Sequence, residues 1–249
     1  MPTTTARPPA HDLPIAGLVP LSTVDWPGRL VATVFVQGCP WRCTYCHNTD
    51  LLDCAKSGVI GFSDVTALLA KRRGLLDGVV FTGGEATRHP ALPAAMTAVR
   101  EAGFEVGLHT GGAYPRRLAE IREQLTWVGF DVKGLPEDYP SVVGVGESLG
   151  ERAWQALSEL LAGAAPPEVE ARLTVYPGSH SPESVRECAR RALALGAGTF
   201  ALQEARTADG ARPLRLPVAR DAEILEFAEL AELVREVAGE RAIIRSAKD

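Results

Sequence analysis

The sequence predicts an α/β fold, a partial (βα)6 TIM-like barrel around a parallel curved sheet, on three observations. Short β-branched runs alternate with helical patterns at a spacing of roughly 25–35 residues. The helical stretches carry starts and stops of their own. No residue-level motif recurs between units, which argues against a solenoid of sequence repeats. The length of 249 residues suits one such barrel.

Residues Met1 to Pro14 are rich in Thr and Pro and show no apolar period, so 1–14 reads as a flexible lead-in and 15–249 as a single domain. Strands are expected over Leu30–Val36, Gly78–Thr82, Phe104–His109, Trp127–Val132, Val169–Tyr176, Thr199–Gln203 and Arg241–Arg245. Between the first two, Ser63 is positioned to cap a helix over Asp64–Arg73 that stops at Gly74. Ser181 and Pro182 open another that ends by Gly196. The longest helix is expected from about Asp221 to Ala238, with Ile224, Leu225, Ala228, Leu230, Ala231 and Val234 on its apolar face.

Composition removes several function classes. A net charge of −5 argues against a nucleic-acid footprint, and the run Lys71, Arg72, Arg73 falls at a helix end, where cations complement the dipole. No stretch approaches the roughly 20 apolar residues of a membrane span, and the first residues lack a signal-peptide pattern. The expectation is a cytoplasmic protein with no membrane or nucleic-acid partner. Five cysteines are an odd set, and three crowd into Cys39–Cys46, which suits metal ligation better than a disulfide framework.

Those three, Cys39, Cys43 and Cys46, follow the first expected strand, in the loop where a βα barrel builds its active site. Thiolates are soft ligands for Fe–S clusters, Zn²⁺ or Cu(I). Three of them on a four-iron cubane leave one iron with an open position, as catalytic sites do. Cys54 and Cys188 are candidates for a fourth ligand. A zinc site using His47 and a dithiol pair at Cys43 and Cys46 are alternatives. Adjacent Cys46 and His47 are closer than zinc ligands are usually spaced, and the dithiol reading leaves Cys39 unexplained.

Later strand ends add polar groups at the same expected rim. Thr82-Gly83-Gly84-Glu85 offers two glycines for close backbone approach and a carboxylate that can accept from an ammonium group. The third strand ends Leu108-His109-Thr110-Gly111-Gly112, and the fourth ends Asp131-Val132-Lys133, whose two charges share a face at period two. Arg172 and Thr174 share a face of the fifth, and Gln203 ends the sixth. His109, Trp26, Trp41 and Trp127 are expected to be structural.

The cysteines, spaced three and two residues apart with Tyr45 before the last, resemble the signature of the radical S-adenosylmethionine (SAM) superfamily. The resemblance implies a [4Fe–4S] cluster on Cys39, Cys43 and Cys46, with SAM chelating the free iron and cleaved to a 5′-deoxyadenosyl radical. It also implies SAM contacts from Tyr45, Gly83, Gly84, Glu85, Thr110, Asp131, Lys133 and Arg172. The segment Ile15–Gly28, with Tyr45-Cys46-His47-Asn48 and Leu202-Gln203, resembles the activating proteins of anaerobic ribonucleoside-triphosphate reductase. In that group the radical abstracts an α-hydrogen from a glycine of the partner reductase, so a glycyl-radical enzyme and a low-potential electron donor are the implied partners. Departures from the pattern are Ala86 for a usual proline, Arg88 for glutamine, Gly111 for asparagine, and His109 where related pyruvate formate-lyase activases have aspartate. Alternative readings are a small-molecule radical SAM enzyme, such as a 7-carboxy-7-deazaguanine synthase, and a non-catalytic zinc-binding module.

Overall fold

The computed structural model describes residues 8–207 and 225–247. One eight-stranded sheet runs in the order β1 to β8. Its strands are β1 (Ile15–Ser22), β2 (Val31–Val36), β3 (Gly78–Gly83), β4 (Glu105–Thr110), β5 (Trp127–Val132), β6 (Glu168–Val175), β7 (Thr199–Glu204) and β8 (Ala242–Arg245). Each of β2 to β7 pairs parallel with the next, while β1 lies antiparallel to β2. The strand order places β1 and β8 at opposite edges, so the sheet is an open, partial barrel.

The helices are α1 (Phe62–Lys71), α2 (Leu92–Glu101), α3 (Pro115–Ile121), the short α4 (Tyr139–Val142), α5 (Glu147–Leu161), α6 (Pro182–Ala194) and α7 (Phe227–Ala238). Parallel register brings residues of one face into rows. Val34, Phe81, Leu108 and Val128 are in register across β2 to β5 and fully buried under the helices. Leu69, Met96, Leu118, Leu157, Ala189 and Val234 supply the facing layer. Each fully buried aliphatic there contributes about 1.5–3 kcal/mol, so the outer face of the sheet holds the fold.

The inner face is different. Along β6, Glu170, Arg172 and Thr174 alternate with Val169, Ala171, Leu173 and Val175, and only the second set joins the helix-covered core. The same alternation places Asp131 on β5, Gln203 on β7 and Arg245 on β8 in register with Arg172, Thr174 and Gln203 respectively. At the opposite end of the strands packs Trp26, from the turn after β1. Its ring stacks on Trp127 at 5.5 Å and 15°. It fits because Gly78 and Gly107 carry no side chain: a Cβ at Gly107 would lie 2.9 Å from the indole.

Several expectations are corrected. The sequence reading has no strand over Ile15–Ser22, because Gly17 and Pro20 break the alternation; an edge strand accommodates both. The lead-in is structured in its described part, with a 3-10 turn at Ala10–Asp12 and Leu13 buried in the core. Ser63 lies inside α1, which Gly61 caps, and the Asp64 carboxylate accepts from the Gly61 N–H at 3.1 Å. Ser181 does cap α6, accepting from Ser184 N–H at 3.1 Å. α7 begins at Phe227, so its expected start at Asp221 and Ile224 falls outside the described residues, and α5, at 15 residues, is longer than the 12 residues of α7. Among the described residues no helix is long and apolar enough to cross a membrane.

Candidate active site

The loop leaving β2 is fastened before it presents its thiols. Gly38 N–H donates to Leu51 O at 2.8 Å and Cys39 N–H to Leu52 O at 3.3 Å. The buried Gln37 amide donates to Asp50 O and Asp53 O at 3.1 and 3.0 Å. On the other side, Arg42 Nη1 donates to Cys39 O and Trp41 O, and Thr44 N–H donates to Val142 O of α4 at 2.9 Å. Cys39, Cys43 and Cys46 are free thiols held by this frame.

They line a cavity of about 830 Å³ at the C-terminal ends of the strands, within the range of small-molecule sites, roughly 300–1,000 Å³. The residues that the resemblance implies as SAM contacts all line it: Tyr45, Gly83, Gly84, Glu85, Thr110, Asp131, Lys133 and Arg172 join the three cysteines of the loop. The structure therefore brings four strand ends and the cysteine loop to one space.

Gly83 and Gly84 run against the cysteine loop. A Cβ at Gly84 would lie 2.4 Å from Gly38 O, and one at Gly83 2.3 Å from Val36 O. Glu85 follows, with Oε1 accepting from Thr87 N–H, Thr87 Oγ1 and Thr110 Oγ1 at 3.2, 2.5 and 2.7 Å, and Oε2 from Gly111 N–H at 3.0 Å. All four donors are neutral. Burial pushes the carboxyl above the usual range despite these bonds. A cationic ligand would complete its environment.

Lys133 Nζ donates to Asp131 Oδ2 at 3.2 Å and lies 5.3 Å from the Tyr45 ring centroid. Burial opposes both charges, yet each stabilises the other: Asp131 stays below the usual carboxylate range and Lys133 well above the usual lysine range. The backbone just beyond is pinned, with Lys133 O bonded to His180 at 3.0 Å and Gly134 O accepting from Trp154 Nε1 at 2.9 Å.

Deeper lies a network that the sequence reading did not assemble. Glu170 accepts from Arg172 Nε at 2.6 Å and from both terminal nitrogens of Arg245 at 2.9 Å. Arg245 also reaches Gln203 Oε1 at 2.9 Å, and Gln203 donates to Thr174 at 3.1 Å. Alternate spacing of Glu170, Arg172 and Thr174 was the available signal. Arg172 crosses the strand where Gly129 leaves room, since a Cβ there would lie 2.5 Å from Cζ. His109 lines the cavity beside this network, with Nε2 2.8 Å from Asp25 O and 3.2 Å from Arg172 Nη1, and Nδ1 3.3 Å from Thr82 Oγ1. Burial and the nearby Arg172 lower its pKa to about 4, so it stays neutral and ties the turn after β1 to the strands.

The donor set fits an iron–sulfur cluster better than a single ion. Burial pushes the Cys39 thiol up to about 12 and raises Cys43, so a metal must displace their protons. Among the described residues no three His, Cys, Asp or Glu groups converge as ligands of one ion would. Thiolates of a cubane bind different irons and sit farther apart. His47, the candidate zinc ligand, turns to the backbone of Arg206, 2.7 Å from its carbonyl. Cys188 is buried in α6 within the outer core, and Cys54 is exposed with its thiol on backbone carbonyls. Neither lines the cavity with the other three.

Comparisons with known proteins agree with this geometry. The radical SAM superfamily model matches residues 33–192. A protein of Methanocaldococcus jannaschii named as a glycyl-radical enzyme activating enzyme is 27% identical over 228 residues, 88% of this chain and 91% of the relative. The pyruvate formate-lyase-activating enzyme of Clostridium pasteurianum is 28% identical over 151 residues, 54% of this chain and 63% of that protein. In fold, a radical SAM methyltransferase from Sphaerobacter thermophilus matches 94% of this chain and 77% of its own with a TM-score of 0.60 at 16% identity. Streptococcus suis SuiB bound to its precursor peptide SuiA matches 84% of this chain and 47% of its own with a TM-score of 0.64 at 14% identity. With 33–192 covering most of the sheet and every thiol of the loop, the chain belongs to the radical SAM superfamily, whose enzymes use a [4Fe–4S] cluster and S-adenosylmethionine.

Proposed function

We propose that this enzyme activates a glycyl-radical protein, with anaerobic ribonucleoside-triphosphate reductase as the partner and a low-potential reductant as electron donor. The observation that carries the reading is the gathering of Cys39, Cys43, Cys46, Glu85, Asp131 and Lys133 around one cavity. Residues 15–249 act in it as a single domain.

In this reading Cys39, Cys43 and Cys46 hold the cluster, and Gly83 and Gly84 admit the methionine end of SAM. Bound and reduced, the cluster and SAM would supply the radical chemistry for hydrogen-atom abstraction from the substrate. Glu85, which has only neutral donors, takes the ammonium group, while Thr110 fixes the rotamer of Glu85. Lys133 faces the carboxylate and Asp131 holds Lys133 in place. Tyr45 lies by the adenine, and Arg172 sets the polar depth beneath.

The choice of partner rests on the lead segment, whose resemblance is to the reductase activators. In the fold that segment forms β1 and the turn after it, with Asp25 and Trp26, so it shapes the space a substrate meets. The experiment mixes anaerobically reconstituted, reduced, SAM-loaded protein with the reductase. A glycyl-radical doublet in the electron paramagnetic resonance (EPR) spectrum supports the proposal. SAM turnover without a doublet, on this reductase and on pyruvate formate-lyase alike, would move the reading to a small-molecule substrate.

A further inference from the structure

The cysteine loop touches the Glu85 subsite through one side chain. Trp41, between Cys39 and Cys43, is buried and lines the cavity. Its ring meets Tyr139 of α4 edge-on at 5.9 Å, which fixes one side of the indole. The other side lies on Gly111. A Cβ at Gly111 would sit 2.4 Å from Trp41 Cζ3, 3.1 Å from Cη2 and 3.3 Å from Cε3. All three nearest atoms belong to this one ring.

Gly111 does not have a positive φ, so left-handed backbone is not what calls for glycine here, and the nearest obstacle to a Cβ is the indole. Its N–H donates to Glu85 Oε2 at 3.0 Å. The next residue continues the chain of contacts, since Gly112 N–H donates to Thr110 Oγ1, which itself donates to Oε1 of Glu85. A displacement of Gly111 therefore moves the donors that orient the carboxylate. Tyr139 holds the ring on one flank, so a methyl at 111 is accommodated only by moving the indole or the 111–112 backbone.

We infer that Trp41 and Gly111 form a positioning pair that sets the cysteine loop against the Glu85 subsite, and so fixes how SAM lies relative to the cluster. This rests on the assignment of Glu85 to the SAM ammonium group proposed above. Trp41 acts through Gly111 and Glu85 and need not touch the reacting atoms. The pairing also accounts for glycine at 111, where the resemblance leads one to expect asparagine: a larger side chain has no room beside this indole.

The test is a double-mutant cycle on the reconstituted holoprotein, with iron and sulfide content, SAM affinity by equilibrium dialysis, and the SAM-induced change in the EPR spectrum of the reduced cluster as readouts. Gly111→Ala should keep its iron and lose about tenfold or more in SAM affinity, the usual scale of forced overpacking. Trp41→Phe removes the ring atoms that meet the new methyl. In that background Gly111→Ala should change SAM affinity by less than about threefold, and the EPR change should return. Equal losses in both backgrounds, unchanged affinity in Gly111→Ala, or loss of iron in place of SAM affinity would each overturn the inference. Failure of the underlying assignment is separate: it would appear as unaltered SAM affinity in Glu85→Gln.

Discussion

Replacing Glu170 with leucine removes one carboxylate and leaves two guanidinium groups facing each other inside the barrel. The side chain is 2% exposed and receives three hydrogen bonds from charged donors, at 2.6, 2.9 and 2.9 Å. Breaking a buried charge pair by deleting one member costs about 3–5 kcal/mol. Arg245 is 33% exposed and recovers part of its hydration, so the expected loss is at the lower end, about 3 kcal/mol. At about 2–4 °C per kcal/mol for a domain of this size, Tm should fall by roughly 6–12 °C. The assay is anaerobic thermal unfolding of holoprotein at one scan rate, with Glu170→Gln as an intermediate case that keeps shape and loses charge. Acidification adds a check on sign. Burial alone would raise the Glu170 pKa, but hydrogen bonds from Arg245 and the charges of Arg172 and Arg245 outweigh it and hold it low. Its contribution is therefore complete above the unfolded carboxylate value, about 4.3, and disappears as pH falls through the lower folded value. The gap between native and Glu170→Leu protein should close over that range. A Tm drop under about 2 °C at neutral pH would refute the reasoning, since it would mean that the two arginines need no buried partner.

Other outcomes follow from the site. Serine at Cys39, Cys43 or Cys46 should each abolish cluster loading, whereas Cys54→Ser and Cys188→Ser should retain native iron and sulfide, measured after anaerobic reconstitution. Gly84→Ala places a methyl against the Gly38 carbonyl, which is backbone and cannot swing aside. It should destabilise the protein by about 1–3 kcal/mol and lower iron incorporation, read by denaturation and metal analysis.

Much of this architecture is legible in the chain because one periodicity carries it. Strands β2 to β8 end within two residues of their expected positions, since each combines β-branched residues with a turn signal. β1 is hidden by Gly17 and Pro20, and its identity depends on pairing with Val31–Val36, a tertiary fact. α1 starts two residues before the cap that Ser63 suggests, because its N-terminal bond comes from Asp64 reaching back to the Gly61 N–H. Local spacing exposes the three thiols, and strand ends expose Glu85, Asp131 and Lys133. What it cannot expose is convergence: Glu170 and Arg245 are 75 positions apart, and Trp41 and Gly111 meet only when two loops fold over one cavity.

Trp26, stacked on Trp127, anchors the turn after β1 to the start of β5, and its neighbour Asp25 reaches the cavity, where its carboxylate accepts from Thr33 and its carbonyl meets His109. The indole thus governs a wall it does not itself line: loosening the stack would be felt by a ligand through Asp25.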